Sequence, residues 1–254
     1  MKWLERLRVY WILRKHALSD RDWFEVTRKL PLLESLDSSE KARLRLLTTL
    51  FIYQKAFSGA QGFELTLEVK IIIAAQACLE ILTFDLSAFD GWSEIIIYPD
   101  AFRVKRETQN ESGVVSTESR VLSGEAWQKG PLIFSWKDIE RDSFQKREGH
   151  HVVLHEFAHK LDMLNGRANG MPPLHPEMTV TEWTDSLSTA YEKLCKRVER
   201  HHARIDAYAA TNPAEFFAVM CEYFFTAPEL LFERYPQVYG QLKGYFRQDP
   251  LARG

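Results

Sequence analysis

The chain has 254 residues, 45% of them hydrophobic and 13% aromatic, with 33 basic and 35 acidic side chains for a net charge of −2. That length and apolar content support one large folded unit or two small ones, and they exclude a disordered or fibrous chain. The near-neutral balance leaves no global basic field for nucleic acid, and three scattered cysteines without a CxxC pair, Cys78, Cys195 and Cys221, exclude a disulfide framework and fit a reducing cytoplasm.

The first segment, MKWLERLRVYWILRKHALSD, is broken by Glu5, Arg6, Arg8, Arg14 and Lys15. It lacks the continuous apolar stretch and small-residue cleavage site of a signal peptide. It reads as a helix packing an apolar stripe onto the domain. With Trp3, Tyr10 and Trp11 beside its basic residues, it also fits a helix lying on a membrane surface. Ser19 caps a second helix in SDRDWFEVTRKL. After Pro31, SSEKARLRLLTTLFIYQKAF predicts a third, capped by Ser38 or Ser39. Gly59 and Gly62 punctuate the next break, and TLEVKIIIAAQACLEIL resumes a helical pattern. Its apolar run at 71–84 is interrupted by Gln76 and Glu80 and is too short to span a bilayer, so no stable membrane insertion is expected.

The character changes after Asp90. SEIIIYPDAFRV (93–104) is strand-like and stops at Pro99 and Asp100. Residues 106–119 read as a polar loop or hairpin tip. PLIFSW predicts another strand, and a helix follows from near Gly149. Two glycines and three prolines make 165–178 a loop. The chain is helical again from about Glu182, with a break at 211–213. This order predicts an α+β fold, mostly helical, with a small mixed sheet beside the helix that starts near Gly149. The working division is a helical N-terminal subdomain over 1–90 and a core over 91–254, packed as one compact unit.

That helix carries the chemistry. In GHHVVLHEFAHKLDMLNG (149–166), His155 and His159 lie about 40° apart on one helical face, one turn from each other, so both imidazoles can converge on one ion. Glu156 can reach a water on that ion. This is the HExxH arrangement of two His ligands and a Glu base, which points to a catalytic zinc. His150 and His151 are expected as surface residues of the first turn. Asp162, seven after His155, is expected to orient a ligand histidine rather than to bind metal. A catalytic zinc takes a third protein ligand. In DAYAATNPAEFFAVMCEYFF, Asn212 caps a helix with Pro213 in its first position. Glu215 then falls in the first turn, where the helix dipole by itself also favours a carboxylate. Glu222, seven further on and on the same face, is its rival.

Together, VVLHEFAHKLDMLNG, YAATNPAEFFAVMCEYFF, IIIAAQACL, IIIYPDAF and GEAWQKGPLIFSWKDI resemble the Mlc titration factor A family of bacterial zinc peptidases. The matching blocks run from about residue 59 to 246. The two blocks around the metal are also similar to the catalytic domain of anthrax lethal factor. The resemblance implies a zincin-like core of the gluzincin type with one zinc per chain. It makes His155, His159 and Glu215 the ligands, Glu156 the base, and Tyr208, seven before Glu215, the tyrosine that faces the metal. It further implies a cytosolic aminopeptidase acting on peptides. The family also binds Mlc, the repressor of the glucose phosphotransferase system, which makes an Mlc-type repressor an expected partner. The competing reading is a non-catalytic, repressor-sequestering protein with a structural or vestigial metal site. The strand in PLIFSW is expected at a sheet edge, where extended peptide would pair with it.

Overall fold

The computed structural model describes residues 3–100, 102–109, 115–122, 124–126 and 130–253. Helices α1 (Trp3–His16), α2 (Asp20–Thr27) and α3 (Ser38–Gln54) lead into β1 (Ala56–Gly59) and α4 (Leu67–Glu80). Next come β2 (Glu94–Tyr98), β3 (Phe102–Gln109), β4 (Val115–Leu122), β5 (Gly124–Ala126) and β6 (Leu132–Ser135). The rest is helical: α5 (Trp136–Phe144), α6 (Val152–Asp162), α7 (Val180–Glu199), α8 (Pro213–Thr226), α9 (Pro228–Arg234) and α10 (Pro236–Phe246). The architecture is α+β and mostly helical. Among the described residues, no helix is long and apolar enough to cross a membrane.

Local signals fix most helix starts. Ser19 accepts the amide of Asp22 at α2, and Thr66 that of Val69 at α4. At α3 the cap is Asp37 rather than Ser38 or Ser39. Its carboxylate accepts the Glu40 amide while Glu40 accepts the Asp37 amide, a reciprocal pair that a serine one residue later cannot complete. The same helix stops at Gln54, earlier than its composition suggests. Lys55 turns inward and its ammonium donates to the carbonyls of Phe89 and Trp92, 3.9 Å above the Trp92 ring, so the chain leaves as a strand.

Among the described residues, four strands form one sheet in the order β1-β2-β6-β5. The first three are parallel, with Ala56 opposite Glu94 and Ile95 opposite Leu132. β5 runs antiparallel to β6. The PLIFSW strand is therefore internal, paired on both sides, and β5 is the outer strand on that side. β3 and β4 make a separate antiparallel hairpin from Phe102↔Leu122 to Gln109↔Val115. The segment 106–119, expected as a polar loop or hairpin tip, is strand over 106–109 and 115–119, and its residues 110–114 lie outside the described residues.

Alternation gives the sheet its buried face. Ile95, Ile97, Leu132 and Phe134 are fully buried, whereas Ile96 and Ile133 between them are only half-buried. Phe157 of α6 meets this face. Its ring lies 6.3 Å from Phe134, 5.0 Å from Phe89, 5.7 Å from Trp92 and 5.7 Å from Phe51. A fully buried Phe contributes about 1.5–3 kcal/mol by burial alone. Phe157 thus fastens the HExxH helix to both the sheet and α3. Helix α4 is buried along almost its whole length and lies against α3 and α6. One hydrophobic cluster from Leu18 to Phe246 encloses these elements.

Candidate metal centre

Gly149 sets the approach to α6. It has φ +68°, its amide donates to Thr226 Oγ1 at 2.8 Å, and a Cβ there would fall 2.0 Å from Cζ of Tyr223. Gly149→Ala combines a left-handed backbone with an overlap against a buried ring. It should destabilise the fold by about 3 kcal/mol or more, read by urea unfolding. A loss under about 1 kcal/mol would mean that the Tyr223 ring gives way freely.

His151 is the N-cap of α6, with its side chain accepting the amide of Leu154. The expectation of a surface residue is overturned, because His151 is buried beneath α4. Its Nε2 meets Gln76 Oε1 at 2.7 Å, and its own amide donates to Glu222. With Nδ1 accepting, Nε2 carries the proton toward Gln76. Burial, opposed by the Asp142 charge, pushes the His151 pKa down to about 4, so the ring is neutral. Gln76 completes the chain by donating to Ser143 Oγ at 2.9 Å. His150 stays partly exposed, with Nδ1 3.5 Å from the Asp206 carboxylate.

One turn further, His155 and His159 project together, their ring centroids 4.8 Å apart. Asn212 Oδ1 accepts the amide of Glu215 at 3.0 Å and Pro213 opens α8, so the cap aims Glu215 from the first turn. One Glu215 oxygen lies 3.0 Å from His155 Nε2 and 3.2 Å from His159 Nε2. The three ligand atoms all lie within 4.8 Å of one another. Burial works against charge on Glu215, but its bonds to both histidines outweigh that and hold the carboxyl well below the usual range. Burial also opposes charge on His155, yet Glu222 and Glu215 hold that ring well above an ordinary histidine. Two imidazoles and a carboxylate concentrated on one point form a donor set that fits a divalent transition metal.

Glu222 does not join that point. Its Oε1 sits 2.7 Å from His155 Nδ1, on the side of the ring away from Glu215, and its Oε2 takes the His151 amide. Glu222 thus contacts His155 from the opposite side of the ring, and its ligand atoms are not among the three that cluster. Asp162 has a different task from the one expected. Fully buried, it accepts the amides of Asn169 at 2.8 Å, Gly170 at 2.7 Å and Met171 at 2.9 Å. Among the described residues, His159 Nδ1 is buried with no hydrogen-bond partner. Asp162 thus pins the 165–178 loop. Gly170, at φ +80°, sits so close to Pro213 that a Cβ would fall 2.6 Å from its carbonyl oxygen, which links the loop to the turn that carries Glu215.

Glu156 is buried beside His155, and its charge adds to the upward shift of that ring's pKa. Tyr208 lies in a 3-10 turn (Ala207–Ala210) capped by Asp206, half exposed, with its ring 5.9 Å from that of His155. The five residues singled out from the sequence therefore gather around one spot. Missed were the contact of Glu222 with His155 and the chain Ser143–Gln76–His151 behind it. Its one sequence signal was the polar Gln76 inside an otherwise apolar run.

A model of the family described as glucose-regulated metallo-peptidase M90 matches residues 1–247. Among similar proteins, Mlc titration factor A of Serratia proteamaculans is 41% identical over 228 residues, covering 88% of this chain and 86% of that relative. Mlc titration factor A of Escherichia fergusonii is 40% identical over 247 residues, covering 96% and 92%. That of Salmonella typhimurium is 41% identical over 239 residues, covering 92% and 89%.

Proposed function

The chain belongs to the glucose-regulated metallo-peptidase M90 family, and from that premise we propose that it is a zinc aminopeptidase with a gluzincin-type core, one zinc being held by His155, His159 and Glu215. The observation that carries this reading is the convergence of two Nε2 atoms on a single Glu215 oxygen. Relatives bear the name Mlc titration factor A, and we extend to this chain the binding of an Mlc-type repressor, hence regulation of the glucose phosphotransferase system in the cytoplasm.

Zinc bound at these ligands would polarise the scissile carbonyl and acidify the attacking water. Glu156 accepts the proton of that water and passes it to the leaving amine. Glu222 keeps the other ring proton of His155 on Nδ1, so that the Nε2 lone pair faces the cluster. The outer strand β5 offers main-chain groups to an extended peptide, which gives affinity with little side-chain selectivity. Tyr208 donates to the oxygen on which negative charge develops. Tyr208→Phe should therefore keep its zinc and lower kcat by about ten- to a thousand-fold with little change in KM. An unchanged kcat reduces Tyr208 to a packing residue.

The reading as a whole is tested by metal analysis of the purified protein beside hydrolysis of a panel of aminoacyl chromogenic substrates. We expect about one zinc per chain, activity abolished by chelation and activity restored by added zinc. A zinc-loaded protein inactive on every free-amine substrate would leave the repressor-sequestering alternative in its place.

A further inference from the structure

Helix α1 is apolar on two sides. Ile12 is fully buried where the helix packs on α3. On another side Trp3, Leu7, Tyr10 and Arg14 lie within about 60° of one another, with Trp11 adjoining. The exposures of Trp3, Leu7, Tyr10 and Trp11 are 71%, 46%, 64% and 44%. The patch continues onto α3, where Tyr53 lies 6.2 Å from Trp11 and 4.8 Å from His16, ring to ring. Lys15 lies over Trp11 at 4.8 Å.

Charge says what this face meets. The sequence over 3–16 has four basic residues, Arg6, Arg8, Arg14 and Lys15, against one acidic residue, Glu5, in a chain whose net charge is −2. The rest of the chain is therefore net acidic, so on average its charge disfavours an anionic surface while that of α1 favours one. Trp and Tyr place an apolar body and a polar edge at the boundary between headgroup and acyl chain, and Arg and Lys reach back to the headgroups along their stems. We propose that this face of α1, with Tyr53 beside it, docks the protein reversibly on an anionic lipid bilayer. The aromatic rings enter the interface, and Arg8, Arg14 and Lys15 contact the headgroups. One such helix gives reversible attachment rather than insertion.

The test is co-sedimentation of the full chain with sucrose-loaded vesicles, either equal parts phosphatidylglycerol and phosphatidylcholine or phosphatidylcholine alone. The parent protein should pellet with the anionic vesicles, stay in solution with the neutral ones, and be released at about 0.5 M salt. The triple variant Arg8→Glu, Arg14→Glu, Lys15→Glu should bind at least about a hundred-fold more weakly, at roughly fivefold for each charge removed. The double variant Trp3→Ser, Tyr10→Ser should lose most binding while keeping the parent thermal unfolding transition. A parent protein that remains in solution with anionic vesicles overturns the proposal. So does equal binding to neutral ones, or unchanged binding by the double variant. If sedimentation equilibrium instead finds a dimer that the double variant breaks, the face belongs to a second copy of this chain and the lipid assignment is wrong. None of these readings passes through the metal centre, so the outcome stands apart from the peptidase assignment.

Discussion

Glu156→Gln should lose peptidase turnover by two or more orders of magnitude while keeping its zinc. The two side chains are nearly isosteric, and the amide still hydrogen-bonds, but it cannot accept a proton from the attacking water. The structure sharpens this expectation. Glu156 is buried next to His155, yet it is not among the three groups whose ligand atoms converge. Its loss therefore subtracts a base and leaves the donor set in place. The same variant separates the two activities proposed for the chain. A repressor interface of ordinary size covers about 800 Å² per partner, far more than one carboxylate, so repressor affinity should match that of the parent. Full turnover would remove Glu156 from the chemistry. Lost affinity in a folded, zinc-loaded variant would mean that the repressor docks in the active-site cleft, and that the two activities share one surface.

The parts of this site that were legible in the sequence are those fixed by local geometry. His155 and His159 sit four apart on a helix whose composition is plain, and Asn212-Pro213 marks a helix start that places Glu215 in its first turn. The α+β class followed from the order of patterns, because helical and strand-like stretches are segregated along the chain. What escaped depends on partners distant in sequence. Periodicity puts Glu222 on the same face as Glu215, so spacing alone could not choose between them. In the structure His151 and His155 arrive from another helix and occupy both Glu222 oxygens, contacts that no spacing along α8 encodes. Asp162 gave no sign of its role because its partners are backbone amides of a loop, which no side-chain pattern encodes. His151 looked like a solvent-facing first-turn residue until Gln76 of α4 closed over it. Strands β1 and β5 have four and three residues, too few to show alternation, and they exist because β2 and β6 offer them edges.

Glu215→Ala and Glu222→Ala should differ in kind, because the first removes a ligand and the second removes what holds a ligand in place. Without Glu215, two imidazoles remain on one helix face with no carboxylate to complete the set. Most zinc should be lost, and excess metal should not restore stoichiometric binding. Without Glu222 all three donor atoms survive, but nothing fixes the Nδ1 proton of His155 or the rotation of its ring. Removing such an orienting carboxylate costs about 10- to 100-fold in metal affinity, so Glu222→Ala should fill its site when zinc is in excess and lose it sooner to a competing chromophoric chelator. It should also be less stable without metal by about 1–3 kcal/mol, since the buried His151 amide loses its acceptor. Glu215→Ala leaves that amide satisfied and should not show this cost. Chelator titration and urea unfolding of the two metal-free variants therefore give opposite rankings. If Glu222→Ala fails to bind zinc at saturation while natively folded, and Glu215→Ala binds it, then the assignment of the third ligand is reversed. In that event α8 must turn in the loaded protein to bring Glu222 onto the metal.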